Sequence, residues 1–180
     1  MKATGIVRRI DDLGRVVIPK EIRRTMRIHE GDPLEIYTSA DGEVIFKKYS
    51  AINEMANSAS QVAEVMTRLA NCPTVVFDRD HVVAVAGVQK KEFSERRVSR
   101  ALEEYLESRK NYIRSSSADA KVFPVEGVDQ AALACSPILA SGDVTGAVAF
   151  LAPNDSAVAN EVQQNLIQAA AQFLGKQIED

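Results

Sequence analysis

The stretch from Thr4 to Ile28 limits what this chain can fold into more than any other. Two short runs, Ile6–Ile10 and Arg15–Ile18, read as strands and flank Asp11-Asp12-Leu13-Gly14. That tetrapeptide is turn chemistry, with Asp favoured early and Gly able to take φ > 0. Alternation puts Ile6, Arg8 and Ile10 on one face and Val7 and Arg9 on the other. Pro19 stands where a first helical residue belongs, because its missing N–H costs nothing there and its φ is preset. Ile22 and Met26, four apart, give the short helix an apolar edge, and Arg23, Arg24 and Arg27 fall away from it. A strand pair and a helix thus project six arginines from 25 residues.

Arginine is planar, always charged and able to bond bidentately, so it grips phosphates or reads guanine edges in the major groove. A solvated charged surface on a small domain would have the same composition. The order of residues favours contact. Gly5 through Pro19 (GIVRRIDDLGRVVIP), followed by Glu21-Ile22-Arg23-Arg24, resembles the DNA-binding domain of the AbrB family, the swapped-hairpin transition-state regulators of spore-forming bacteria. The likeness covers about Met1 to Ser50. It implies two chains interlocking their hairpins into a β-barrel dimer. It also implies double-stranded DNA as partner, with Arg8, Arg9, Arg15, Arg23 and Arg24 as the DNA-binding set.

Charge is distributed to suit. The chain carries 22 Lys+Arg against 25 Asp+Glu, a formal −3. Residues 1–50 hold 10 against 8, or +2, while residues 51–180 hold 12 against 17, or −5. A DNA-binding module joined to an acidic regulatory domain has this asymmetry. No stretch approaches a membrane-spanning length. Lys2, Arg8 and Arg9 interrupt any apolar leader, so a cytoplasmic protein with no membrane partner is expected. Cys72 and Cys135 lie far apart among apolar neighbours and read as buried free thiols. With His29 and His81 they make too few ligands for a metal site, and no cofactor is implied.

After the first helix, Glu30-Gly31-Asp32-Pro33 breaks the chain. Leu34–Thr38 and Glu43–Tyr49 read as a hairpin around Asp41-Gly42, with Leu34, Ile36, Val44 and Phe46 inward. Four short strands and two helical turns bury too little surface to stand alone, which argues independently for an obligate dimer. A helix over 51–70 joins the halves. Ile52, Met55, Ala59, Val62, Met66 and Leu69 give it a heptad stripe, packed within its own domain or against another chain.

Cys72-Pro73 ends that helix, and Thr74–Asp78 with His81–Val85 form a hairpin. The run Val75-Val76-Phe77 is too apolar for an exposed edge, so its sheet should be covered on both faces. A helix is expected over Glu95–Arg109, with Ser94 as N-cap and Phe93 stapled to Val98. Asn111–Ala120, with three consecutive serines, reads as a polar loop, either linker or pocket lid. Strands are expected at Lys121–Val125, Gln130–Ile138 and Val144–Leu151. Pro153-Asn154-Asp155-Ser156 should cap a last helix, striped by Val158, Val162, Leu166, Ala169 and Phe173. Its other edge, Ala170, Leu174 and Ile178, is also apolar, so this helix needs more than one neighbour.

Ala131–Leu151, with Ser136-Pro137-Ile138-Leu139, Gly142 and Gly146 to Leu151, resembles the closing strands of a GAF domain. It carries no ligand-binding motif of that family. The expected fold is α+β: a swapped-hairpin domain over 1–50, then a GAF-like antiparallel sheet flanked by helices over 51–180, with 51–70 as connecting helix. The expected function is a DNA-binding transcriptional regulator of sporulation genes, activator and/or repressor. Its second domain would sense an unidentified small molecule and mediate oligomerisation, to a tetramer. An antitoxin-like interaction module is the competing reading, because antitoxins share the swapped hairpin; a folded, apolar 51–180 argues against it. An enzyme is not expected, since no nucleophile–base spacing is visible.

Overall fold

The computed structural model of the chain describes residues 4–179. Lys2, one of the charges that interrupt the N-terminus, lies outside them. The chain divides into two units, Met1–Tyr49 and Ser50–Asp180.

The first unit contains α1 (Lys20–Thr25) and a hairpin of β1 (Leu34–Thr38) and β2 (Val44–Lys48). The hairpin pairs Leu34 with Lys48, Ile36 with Phe46 and Thr38 with Val44. It turns at Asp41-Gly42, where Gly42 takes φ +82°. Asp32 ties the hairpin to the segment after α1. Its carboxylate accepts the His29 backbone N–H (2.8 Å) and lies 3.8 Å from Lys48 Nζ, which itself donates to the Arg27 carbonyl (2.7 Å).

Three expectations are corrected in this unit. Ile6–Ile10 and Arg15–Ile18 are not strands. A strand needs a ladder for its backbone groups, and the bond joining these runs, Asp11 N–H to the Arg15 carbonyl (3.0 Å), belongs to the turn. Pro19 is the cap of α1 (φ −58°, ψ 147°) rather than its first residue. The residues read as inward, Ile36, Val44 and Phe46, are exposed, as are Val7, Ile10 and Val17. A unit this small has no second layer of its own to cover them.

The second unit is a five-stranded antiparallel sheet in the order β4-β3-β7-β6-β5. Its strands are β3 (Thr74–Asp78), β4 (Val82–Ala86), β5 (Tyr112–Ile113), β6 (Ala132–Ala140) and β7 (Asp143–Leu151). The sheet is covered on both faces, as the Val75-Val76-Phe77 run implies. Val76, Ala134, Val148 and Phe150 face one core with Ala59, Val62, Ile167 and Leu174. Val75, Phe77, Cys135 and Ala149 face the other with Leu102, Leu106 and Val125. The first core is roofed by α3 (Ala56–Ala70) and α6 (Glu161–Glu179), and the second by α5 (Arg100–Ser108).

Helices α3 and α6 therefore meet within one chain. The core edge of α6 is Ile167, Ala170, Ala171 and Leu174. Val162 and Phe173, read as its stripe, face outward, beside Val65 and Leu69 of α3 in being exposed. Gly175 lets α6 lie directly on β6: a Cβ there would fall well inside contact distance of the Leu139 carbonyl oxygen.

Other boundaries differ from expectation for local reasons. The 51–70 helix is two, α2 (Ala51–Glu54) and α3, separated at Met55 (φ −97°, ψ 27°). Ser50 caps α2 by accepting the Asn53 N–H (3.1 Å). The 95–109 helix is replaced by α4 (Lys90–Phe93) and α5. Ser99, not Ser94, is the α5 cap, accepting the Leu102 N–H (3.2 Å). Burial of Val98 explains this: Arg96 and Val98 bond the edge of β4 and its turn, through the Val82 N–H and the Asp80 carbonyl. Lys121–Val125 makes a single bridge, Val98 to Val125, because Pro124 has no N–H to donate. The cap of α6 is Asn160, whose side chain accepts the Gln163 N–H (2.8 Å) while Gln163 Oε1 accepts the Asn160 N–H (3.0 Å). This reciprocal capping box outcompetes the earlier Pro153–Ser156 turn.

Candidate nucleic-acid interface

The arginines of the first unit are presented by two local devices. The first is the Asp11–Gly14 turn. Asp11 Oδ1 accepts the backbone N–H groups of Leu13 (3.0 Å) and Arg15 (2.8 Å), and its Oδ2 accepts Arg15 Nε–H (2.8 Å). Gly14 closes the turn at φ +76°, donating to the Asp11 carbonyl (3.1 Å). The Arg15 backbone N–H first, and its side chain second, hold the Asp11 carboxyl below its ordinary range. The second device is α1. It carries Arg23 and Arg24 in its last turn and ends at Thr25, with Met26 as C-cap and Arg27 beyond it in the left-handed region (φ +51°).

Arg8, Arg9, Arg15, Arg23 and Arg24 are all solvent-exposed. Arg8 and Arg9 precede the turn, Arg15 follows it, and Arg23 and Arg24 sit on the helix. Arg15 differs from the rest in being clamped by a carboxylate of its own turn. Asp11 is thus a positioning residue that the sequence reading treated only as a turn former. Its signal was there, since an Asp two and four residues before bonded N–H groups is an Asx turn. Lys20 is a further exposed cation, at the start of α1, outside the five arginines.

Cys72 and Cys135 are buried and free, and burial pushes their thiols up to about 11 and about 12. Thiols so far from ionisation are poor nucleophiles. Among the described residues, no group of three or more His, Cys, Asp and Glu could hold a metal ion. Among them too, no helix is long and apolar enough to cross a membrane.

Two family models match the chain, over separate stretches. Residues 54–179 match the family model described as stage V sporulation protein T C-terminal, transcription factor. Residues 7–52 match the model described as antidote-toxin recognition MazE, bacterial antitoxin. The chain is 44% identical to stage V sporulation protein T of Bacillus subtilis, over 99% of each chain. It is 50% identical to the transition state regulatory protein AbrB of the same organism, over 51% of this chain and 93% of AbrB. The GAF domain of PixJ from Thermosynechococcus elongatus superposes with a TM-score of 0.55 over 73% of this chain and 89% of that domain. At 12% identity, that likeness concerns the fold alone.

Proposed function

This chain belongs to the stage V sporulation protein T family, and on that footing we propose that it is a DNA-binding transcriptional regulator of sporulation genes. The observation that carries this is the exposure of Arg8, Arg9, Arg15, Arg23 and Arg24 on a 49-residue unit of an otherwise acidic chain. These five residues form the DNA-binding set. Regulation, as activator or repressor, takes place in the cytoplasm and involves no chemistry on a substrate.

Two chains complete the first unit by interlocking its extended segments. Val7, Ile10, Val17, Ile36 and Val44 are exposed in one chain and supply the apolar surface for that union. The outward residues Val65, Leu69, Val162 and Phe173 offer a second apolar surface, so dimers pair into a tetramer. The GAF-like second unit binds a small-molecule effector and passes its state to the first. The short Tyr49–Ser50 junction, with α2 beginning at Ala51, leaves little slack between them. Coupling of this kind changes DNA affinity by about 5–150-fold.

The antitoxin reading draws on the match over residues 7–52. It accounts less well for the 131-residue second unit, which has two full cores where a toxin-wrapping tail would be extended. The test is affinity for a mixed-sequence DNA duplex as salt is raised, in the wild type and in Arg23→Ala. A steep salt dependence that Arg23→Ala reduces is expected. Affinity at low salt that does not change in Arg23→Ala or Arg24→Ala would overturn the assignment.

A further inference from the structure

Arg114 follows β5 and has no exposed surface. A guanidinium has five N–H donors and carries its charge wherever it is placed. Here Nη2 donates to the carbonyls of Ser117 (3.3 Å) and Asp155 (2.5 Å). Nε and Nη1 are buried and bond nothing. The carboxylates of the same two loops are engaged elsewhere. Asp155 takes Lys121 Nζ (2.7 Å), and Asp119 takes the N–H groups of Ser115 (2.9 Å) and Ser116 (2.8 Å). The Arg114 charge is felt at the Asp155 carboxyl, which it helps to lower, but no carboxylate bonds the guanidinium, and a buried cation with donors left unbonded is strongly unfavourable. The side chain therefore has unused capacity for an anion.

Its surroundings are arranged to receive one. The Arg114 backbone is fixed on both sides, with its N–H on the Leu133 carbonyl (3.0 Å) and its carbonyl on the Ala159 N–H (2.8 Å). Over it lies Ser115–Ala120, exposed throughout. This loop bonds largely to itself: Asp119 holds Ser115 and Ser116, and Ser116 Oγ accepts the Ala118 N–H (3.2 Å). It is held down at Ser117 by the long Arg114 bond and at Ala120 by Tyr112 Oη (3.0 Å). A segment folded on itself and pinned at two points can lift without breaking its internal bonds. Its serine hydroxyls add donors that suit an oxyanion. Residues 51–180 carry −5 overall, so general electrostatics does not draw anions to this half. Selectivity must come from the guanidinium.

We infer that Arg114 anchors a binding site for a small oxyanion, a carboxylate or phosphate group of a small molecule, admitted when Ser115–Ala120 lifts. The inference names the ligand chemistry of the sensor reading and rests on that reading only for its regulatory consequence. The full-length chain is melted at constant ionic strength while chloride is exchanged for inorganic phosphate or for acetate. The Tm should rise and saturate, by about 5 °C or more at a hundredfold excess over Kd. The rise should vanish in Arg114→Gln. A response to one anion alone identifies which group the site takes. A rise that never saturates and survives in Arg114→Gln is a general salt effect and overturns the inference. Should Arg114→Gln not fold, hydrogen exchange of the Ser115 and Ser116 amides in the wild type decides. Saturable protection by either anion upholds the site; exchange unchanged by both overturns it. DNA affinity in the same buffers keeps the two readings apart. Saturable binding with no change in DNA affinity upholds the site and counts against the sensor reading. Melting unmoved by both anions removes the site, whatever the DNA affinity does.

Discussion

Arg15→Ala should weaken DNA binding more than Arg23→Ala, and the reason is Asp11. In the native turn Asp11 Oδ2 is occupied by Arg15 Nε at 2.8 Å, which compensates the carboxylate and leaves the two terminal guanidinium nitrogens for a phosphate. Removing Arg15 deletes a cation and leaves Asp11 facing DNA uncompensated. That carboxyl ionises more readily than usual, since the Arg15 backbone N–H that also holds it survives the substitution. Each phosphate contact contributes about 0.9 to the slope of log K against log salt, so five arginines in each chain of a dimer give a slope of about −9. Arg23→Ala removes one contact per chain and lowers the slope by about 2. Between 50 and 200 mM salt the wild type should then lose about 12-fold more affinity than the variant. Arg15→Ala removes a contact and adds a repelling charge, so its slope should fall by about 3–4. Asn at position 11 keeps an acceptor for the turn but not the charge. Asp11→Asn in the Arg15→Ala background should therefore restore the slope to near that of Arg23→Ala. Fluorescence anisotropy of a labelled duplex across that salt range gives the slopes, and circular dichroism checks the fold. Equal slopes for Arg15→Ala and Arg23→Ala, with no recovery in the double variant, would refute the argument.

Three further outcomes follow from the packing. A fragment of residues 1–50 should melt at a temperature that rises with its concentration, because its exposed Val7, Ile36 and Val44 need a second chain; a monomer with a concentration-independent transition would contradict this. Val62 faces the core under α3 whereas Leu69 is 59% exposed, so Val62→Glu should unfold the second unit, and Leu69→Glu should leave it folded while reducing a tetramer to dimers in sedimentation. Lys121 Nζ and Lys176 Nζ hold the carboxyls of Asp155 and Glu179 below their ordinary range, so any stabilisation from them is full at neutral pH and lost as pH falls through the depressed values; Lys121→Met with Lys176→Met should flatten the acid limb of a Tm–pH curve.

Much of the second unit was legible because its signals are local. Val75-Val76-Phe77 announces a strand covered on both sides, and Ser141-Gly142 announces the turn between β6 and β7. What was illegible depends on tertiary demand. Ser94 and Ser99 are equivalent caps in sequence, and only the burial of Val98 chooses the second. The α6 edge that meets the sheet is the one with small residues, Ala170, Ala171 and Gly175, because close approach to β6 matters more there than hydrophobicity. In the interface, the arginines and the turn could be read directly. The clamp of Arg15 by Asp11 exists only in the folded turn, and so does the burial of Arg114, which in sequence is one more charge in a polar loop.

The position of β7 has a bearing on how the chain reaches its folded state. β7 lies between β3 and β6, with Thr74 opposite Phe150 and Asp78 opposite Gly146. These partners are some 70 residues apart in sequence, and closing so long a loop is slow. Until residue 151 is available, the β3–β4 hairpin has no neighbour on its inner side and neither core has a floor. During synthesis the basic first unit emerges well before the second can close. The interval leaves Val75, Val76 and Phe77 uncovered on an unpaired edge, a template for misassembly. A chain truncated before Asp143 should therefore keep a competent first unit and aggregate through its second.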